Sequence, residues 1–245
     1  MSFPQFENKH LEEALGTPED YVKYRKFPKN LPRRYILVYS TKALNYFKRK
    51  YKPKKVFLYS LLTIYVYKEV GFVKMCGIGS PNAATVMEEL IALGGKTFLN
   101  LGWAGGLNKE GVFLCTGALR DEGTSHHYLP HGKFVYPDRV LTKKFGEHIR
   151  DLDLCYTEGL TWTIDAPYRE TKAEVEKYSK EGIITVEMEA SALFAVAKYR
   201  KVKIASAFSV SDVLGKKWEI KFHKRNIRRD LNLLIDAGVN CLTKK

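Results

Sequence analysis

The stretch SPNAATVMEELIALGGKTFLNLGW, residues 80–103, predicts a helix that leads directly into a buried strand. Ser80 is a suitable N-cap, Pro81 suits the first helical position, and Gly94 or Gly95 ends the helix. The apolar run KTFLNLGW that follows is typical of a strand inside a sheet. This helix-to-strand unit indicates an α/β fold.

Similar alternation runs along the chain of 245 residues. We predict a single-domain, three-layer α/β/α fold with a twisted, mixed and mostly parallel central sheet. The aromatic and charged residues 1–30 are assigned to an N-terminal arm, and residues 31–245 to the domain. The glycine-rich AGGL at 104–107 predicts a turn, and a final helix is expected over about 219–242.

Composition argues against several protein classes. No stretch is apolar over the roughly 20 residues that a membrane helix needs, and the N-terminus lacks the pattern of a signal peptide. None of the four cysteines forms a C-x-x-C pair, so neither a zinc knuckle nor a thioredoxin-like motif is expected. A chain of this length does not need a disulfide framework, so none is expected either. We therefore expect a cytoplasmic protein with no membrane partner.

The chain is strongly basic, with 41 Lys and Arg against 27 Asp and Glu and a net charge of +14. The excess is concentrated in residues 48–55 and 216–229. It indicates either an anionic partner or a solvated, charge-rich surface. Because neither stretch belongs to a recognisable DNA- or RNA-binding module, nucleic acid is not the expected partner.

Ligands of open α/β sheets bind beyond the carboxyl ends of the strands. Four stretches end at that edge: GIGSPNAA (77–84), GWAGGL (102–107), RDEGTSHHYLP (120–130) and SVSDVL (209–214). The glycine turns suit either a bound anion or tight turning alone. The side chains of His126 and His127 point apart and lack a third ligand, so no metal site is predicted.

Three acidic residues near strand ends are candidates for the site. Glu187 and Glu189 lie two residues apart at the end of a strand, so they face the same side if the chain is extended. Such a pair suits the vicinal hydroxyls of a sugar, although a carboxylate at a helix N-terminus is an alternative. Asp212 ends an apolar strand, as a catalytic acid or as a cap.

Taken together and in order, GIGSPNAATVMEELIALGGKTFLNLGWAGGL, GALRDEGTSHHYLP, VEMEASALFAVA and VSD resemble the nucleoside phosphorylase family, which also contains nucleosidases. The resemblance covers about residues 73–212, whereas the first 70 residues match poorly. It implies a twisted sheet flanked by helices and cleavage of an N-glycosidic bond.

The resemblance also implies roles for individual residues. Met188 would pack against the ribose, Glu189 would accept its 2′- and 3′-hydroxyls, and Glu187 would support the site from the neighbouring position. Asp212 would protonate N7 of a purine, and Arg225 would assist it.

In TIDAPYRE (163–170), Tyr168 would stack on the base. The phosphate end departs from the family pattern, because Asn100 replaces an expected arginine and Trp103 replaces a Ser or Thr. Lys42 or another basic side chain is expected to substitute for the missing arginine.

We therefore predict phosphorolysis of a purine nucleoside to free base and ribose 1-phosphate, with no cofactor other than phosphate as co-substrate. A nucleosidase that uses water and a non-catalytic nucleoside- or nucleotide-binding protein are the alternatives. The family resemblance further implies a homo-oligomer, either a dimer or a hexamer. His10 is a candidate for a residue lent to a neighbouring subunit.

Overall fold

The computed structural model describes residues 3–243, within which seven α-helices and eleven β-strands alternate. The helices are α1 (Pro18–Arg25), α2 (Thr41–Tyr51), α3 (Ser80–Ala92), α4 (Arg139–Arg150), α5 (Lys172–Lys180), α6 (Ala190–Tyr199) and α7 (Arg225–Thr243). The strands are β1 (Arg34–Val38), β2 (Lys54–Tyr59), β3 (Leu62–Tyr67), β4 (Val70–Lys74), β5 (Thr97–Leu107), β6 (Val112–Asp121), β7 (Phe134–Val135), β8 (Thr157–Ile164), β9 (Ile183–Glu187), β10 (Lys203–Leu214) and β11 (Trp218–Ile220).

All eleven strands belong to one mixed sheet, in the order β11-β10-β6-β8-β9-β5-β1-β4-β3-β2, with β7 paired to β6. Because β10 also pairs with β5, the strands β10, β6, β8, β9 and β5 close into a ring. Parallel pairings join β1 to β4 and β5, β5 to β10, and β8 to β6 and β9. The other pairings are antiparallel, including those of the β2–β3–β4 meander.

Helices cover both faces of the sheet, which confirms the predicted three-layer architecture. Tyr35 and Leu37 of β1 point into a core that includes apolar residues of α3 and α6. Ile36 and Val38 point the opposite way, into a core that includes residues of α2, α4 and α7. This alternation is the period-two pattern of a strand buried on both faces.

The glycines of AGGL do not form the predicted turn, because β5 continues through them to Leu107. Gly105 pairs with Val186 of β9, and a Cβ on Gly105 would lie 2.7 Å from a methyl of Leu214 and 3.0 Å from one of Val186. A Cβ on Gly106 would lie 1.9 Å from the carbonyl oxygen of Lys109. Because these glycines lack a Cβ, side chains and backbone of neighbouring segments pack directly against this part of β5.

Two helix starts also differ from expectation. Gly79, with φ of 100°, is the N-cap of α3, and the hydroxyl of Ser80 donates to the carbonyl oxygen of Met188 instead of capping. The last helix begins at Arg225 and not near residue 219, because Trp218–Ile220 pairs with β10 as an edge strand. In both places a contact with a distant segment outweighs the local signal.

Residues of the predicted arm pack on the chain's own sheet. Phe27 stacks on Tyr59 at a centroid distance of 6.0 Å, and the ring of Tyr21 meets both rings edge-on. The boundary at residue 30 stays a prediction. Across residues 3–243, no helix has both the length and the apolar character needed to span a membrane.

Candidate active site

A cavity of about 630 Å³ opens where the carboxyl ends of several strands meet. Tyr39 and Ser40 follow β1, Ile78 follows β4, and Pro167 follows β8. Most of the remaining wall comes from β5, from β9 and the residues after it, and from β10, with further residues from β11 to α7. Three of the four stretches that end at this edge contribute to the lining. The fourth does not, since Thr124, His127 and Tyr128 face a separate cavity beside the arm.

The structure brings six of the predicted site residues to this cavity: Trp103, Tyr168, Glu187, Met188, Glu189 and Asp212. Lys42, Asn100 and Arg225 do not line it. Lys42 is exposed on the first turn of α2, and Arg225 is exposed at the start of α7. Asn100 is fully buried, where it accepts a hydrogen bond from the hydroxyl of Tyr39 at 2.9 Å and donates to Ser206 at 3.2 Å.

Glu187 is buried at the N-terminus of α6 and accepts three hydrogen bonds. Thr163 Oγ1 donates to Oε1 at 2.5 Å, and the amides of Glu189 and Ala190 donate to Oε2 at 2.8 and 2.7 Å. These three donors hold the carboxylate in a fixed position at the start of α6. Burial, and then the charge of Glu189, raise the pKa of Glu187.

Glu189 is also buried, but it is less fully bonded. The amide of Gly79, at the turn before α3, donates to its Oε1 at 2.5 Å. The backbone of Met188 also contributes a hydrogen bond to this carboxylate. Burial raises the pKa of Glu189. The carboxyl group therefore combines a fixed orientation with free acceptor capacity towards the cavity.

Asp212 lies within β10 and does not cap a helix. Ser211 Oγ donates to its Oδ1, and Trp218 Nε1 donates to its Oδ2, each at 2.7 Å. Each oxygen keeps a lone pair beyond these bonds. The two donors hold Asp212 at the cavity wall next to the β10–β11 connection, and its position suits contact with a bound ligand.

Glu170 is a cavity residue that the sequence reading missed. It is partly buried and makes no hydrogen bond or ion pair with any residue in 3–243. Burial, and then the charge of Asp212, raise the pKa of Glu170 to about 7. The only sequence signal was its place two residues after Tyr168, where the pattern RETKAE is equally typical of a helix start.

The lining is acidic in a basic protein. It contains four carboxyl groups, those of Glu170, Glu187, Glu189 and Asp212, and no Lys, Arg or His among the described residues. Tyr168 is 91 % exposed at the cavity mouth. The indole N–H of Trp103 is buried and has no partner in residues 3–243. Over the same residues, no group of three or more His, Cys, Asp or Glu is arranged to hold a metal ion.

Comparison with proteins of known sequence identifies relatives. The chain is 32% identical over 139 residues to a guanosine phosphorylase of Halorubrum lacusprofundi, covering 55% of this chain and 57% of that one. It is 28% identical to a purine nucleoside phosphorylase of Plasmodium vivax, covering 58% and 61%. The matched segments thus span somewhat less than two thirds of these relatives.

Solved structures share the fold over nearly the whole chain. An AMP nucleosidase from Bacteroides thetaiotaomicron superposes with a TM-score of 0.76 at 23% identity, covering 94% of this chain and 100% of that one. A purine nucleoside phosphorylase from Toxoplasma gondii gives 0.75 at 17% identity, covering 94% and 97%. The model of the phosphorylase superfamily matches residues 33–239. The chain belongs to the phosphorylase superfamily.

Proposed function

We propose that the protein cleaves the N-glycosidic bond of a purine nucleoside. One observation carries the proposal: a single cavity holds Met188 and Glu189, which suit a ribose, together with Asp212, which suits a purine. Its volume of about 630 Å³ is within the range of small-molecule sites. The names of the relatives agree with this chemistry.

In this proposal the acceptor capacity that remains on the Glu189 carboxylate binds the 2′- and 3′-hydroxyls, and Met188 packs against the sugar. As the C–N bond breaks, its electron pair moves to the base and positive charge grows on the ribose. The nearby carboxylate stabilises that charge. Protonated Asp212 donates its proton to N7, so that the base leaves neutral.

Glu170 supplies the contact that we propose for the base. An ionised carboxylate only accepts hydrogen bonds, and its two oxygens match two adjacent N–H donors. Guanine presents such a pair at N1 and the 2-amino group, whereas adenine presents an acceptor at N1. We therefore propose guanosine-type substrates, in which the ring stacks beside Tyr168.

Phosphate is the attacking group that the names of the sequence relatives favour, with ribose 1-phosphate as the product. Lys42 is the basic residue that we propose for a phosphate contact, two positions after the cavity-lining Ser40. Arg225, exposed outside the cavity, would assist Asp212 only after a movement of the segment before α7. Asn100 supports the cavity wall through Tyr39, and Trp103 is part of it.

Hydrolysis is a second candidate, favoured by the absence of Lys, Arg and His from the described lining. A phosphate dianion entering beside four carboxyl groups would meet repulsion, whereas water would not. The unpartnered indole N–H of Trp103 is a neutral donor at this wall. The attacking oxygen would then come from water, and the products would be ribose and free base.

One experiment separates the two reactions. The protein is incubated with guanosine in ¹⁸O-labelled water, with and without phosphate, and the sugar product is analysed by mass spectrometry. Phosphorolysis predicts phosphate-dependent ribose 1-phosphate without label. Hydrolysis predicts labelled ribose at a rate independent of phosphate.

We further propose a homo-oligomer, a dimer or a hexamer, that works in the cytoplasm without a metal or organic cofactor. The exposed free thiols of Cys76 and Cys155 suit a reducing compartment. Nucleic acid is not part of the proposal, since the basic surface contains no recognisable DNA- or RNA-binding module.

A further inference from the structure

A group of buried polar side chains lies behind the ribose-side carboxyl groups. Arg120 lies near the end of β6 and Glu122 directly follows that strand. Ser125 lies in the 3₁₀ turn Thr124–His127, and Ser191 is in the first turn of α6. All four are buried, and none lines the cavity. Buried polar groups need partners, so their hydrogen bonds reveal what they support.

The first half of the network joins two buried charges through Ser125. The Nε of Arg120 donates to Ser125 Oγ at 2.9 Å, and the amide of Ser125 donates to both carboxylate oxygens of Glu122 at 3.2 and 3.0 Å. Arg120 also donates to the carbonyl oxygen of Pro130 at 2.8 Å. The guanidinium and the carboxylate are thus held in fixed positions.

The second half reaches Glu187. Ser191 Oγ donates to Glu122 Oε1 at 2.7 Å, and the amide of Ser191 donates to Thr163 Oγ1 at 3.0 Å. Because Thr163 Oγ1 accepts that bond, its single proton is directed to Glu187 Oε1, 2.5 Å away. Glu187 Oε2 in turn accepts the amides of Glu189 and Ala190.

We propose that Glu122 is a positioning residue for the reaction, acting through Ser191 and Thr163 to fix Glu187 and thereby the backbone that presents Glu189 to the ribose. The inference rests on the proposed function. Glu122 touches no substrate in this scheme. Its carboxylate anchors the first turn of α6, and that anchor determines which way the proton of Thr163 points.

The test uses Glu122→Gln and Ser191→Ala in the full chain. Glu122→Gln removes the charge and one of the two acceptor oxygens, and Ser191→Ala removes the hydroxyl that donates to Glu122. In each variant kcat for guanosine cleavage is expected to fall roughly tenfold or more, while KM changes less than about twofold. Ser191→Thr keeps the hydroxyl and is expected to retain most of the activity. This pattern separates positioning from substrate binding.

The pH dependence of kcat distinguishes this positioning role from a general loss of stability, which would not shift the profile. Both variants keep the Ser191 amide but weaken the anchor that Glu122 gives to the first turn of α6, so that amide holds Thr163 Oγ1 less firmly. The ionised form of Glu187 is then less stabilised, its pKa rises, and the acid limb of kcat moves to higher pH. The other titratable groups that act on Glu187 or feel its charge, Glu189, Tyr39 and Cys115, are unchanged in these variants.

Asp138→Ala is the matched control, because Asp138 is a structural carboxylate that caps α4 through the amide of Leu141. It is expected to lower Tm without moving kcat or the acid limb. If Glu122→Gln and Ser191→Ala behave like this control, the positioning role is overturned.

The proposed function can fail independently, if the wild-type protein releases no base from any nucleoside. The network is then tested by carboxyl ¹³C NMR titration of Glu187. An upward pKa shift in Glu122→Gln supports the inference, and an unchanged titration rejects it.

Discussion

Asp212 differs from an ordinary surface aspartate because both of its oxygens are held by neighbours, Ser211 and Trp218. This arrangement fixes the carboxyl group against the wall of the cavity. Replacing it with Asn keeps the shape but removes the transferable proton. Asp212→Asn is therefore expected to lower kcat for purine nucleosides by about 10²- to 10⁴-fold.

The rate is measured by chromatography of the released base. Asp153→Asn, in an exposed turn, serves as the control and should keep wild-type activity. An Asp212→Asn enzyme as fast as this control would remove Asp212 from the mechanism.

The raised pKa of Glu170 predicts that the preference between guanosine and adenosine depends on pH. Its raised pKa, about 7, means that it is mainly protonated below that pH and mainly ionised above it. The ionised form accepts from guanine, whereas the protonated form can donate to N1 of adenine. The preference for guanosine over adenosine in kcat/KM should therefore rise as pH increases from 6 to 8.

In Glu170→Gln, which cannot ionise, the same preference should be smaller and independent of pH. A ratio that rises with pH equally in both proteins would assign the effect to another group.

At the scale of single residues, six of the residues predicted from the sequence line the cavity, but Glu170 was missed. VEMEAS and VSD are local motifs, and their side chains reach the cavity because strand ends converge there. Glu170 depends on how the segment after β8 folds back towards Asp212. Nothing in the local pattern RETKAE distinguishes that contact from a helix start.

At the scale of elements, the long strand β5 shows how tertiary packing overrides a turn signal. Gly106 lies in the ring of strands, where an added Cβ would meet a backbone carbonyl that cannot rotate away. Gly106→Ala is expected to reduce the free energy of unfolding by about 1–3 kcal/mol. Equilibrium denaturation in urea measures this change.

Gly16→Ala is the matched control, since nothing lies within 4 Å of its added Cβ and its φ is not positive. Its free energy of unfolding should stay within about 0.5 kcal/mol of the wild type. Equal stability of the two variants would contradict the packing explanation for AGGL.

At the scale of the whole molecule, exposed apolar side chains lie at the mouth of the cavity. Tyr168 is 91 % and Ile78 65 % exposed, although both line the site. Apolar surface of this kind is typical of contact between molecules. Light scattering coupled to size exclusion should report a dimer or hexamer at micromolar concentration, also in 0.5 M salt, and a monomer would contradict the proposal.

The layered fold was predictable because the alternation of helices and strands repeats along the chain. Closure of the ring was not, since it depends on β10 pairing with both β5 and β6, far apart in sequence. The sequence also did not predict that a protein with a net charge of +14 would contain an acidic cavity. Net charge is a sum over the surface and does not describe a cavity.

The most direct test of the proposed cleavage is release of guanine from guanosine by the wild-type protein and by Glu189→Gln, followed by chromatography in the presence of phosphate. We expect release by the wild type and a loss of about 100-fold or more in the variant, because the ribose contact is weakened. Glu158→Gln, on the exposed part of β8, should match the wild type. No release from any purine nucleoside, or equal rates in Glu189→Gln and the wild type, would contradict it.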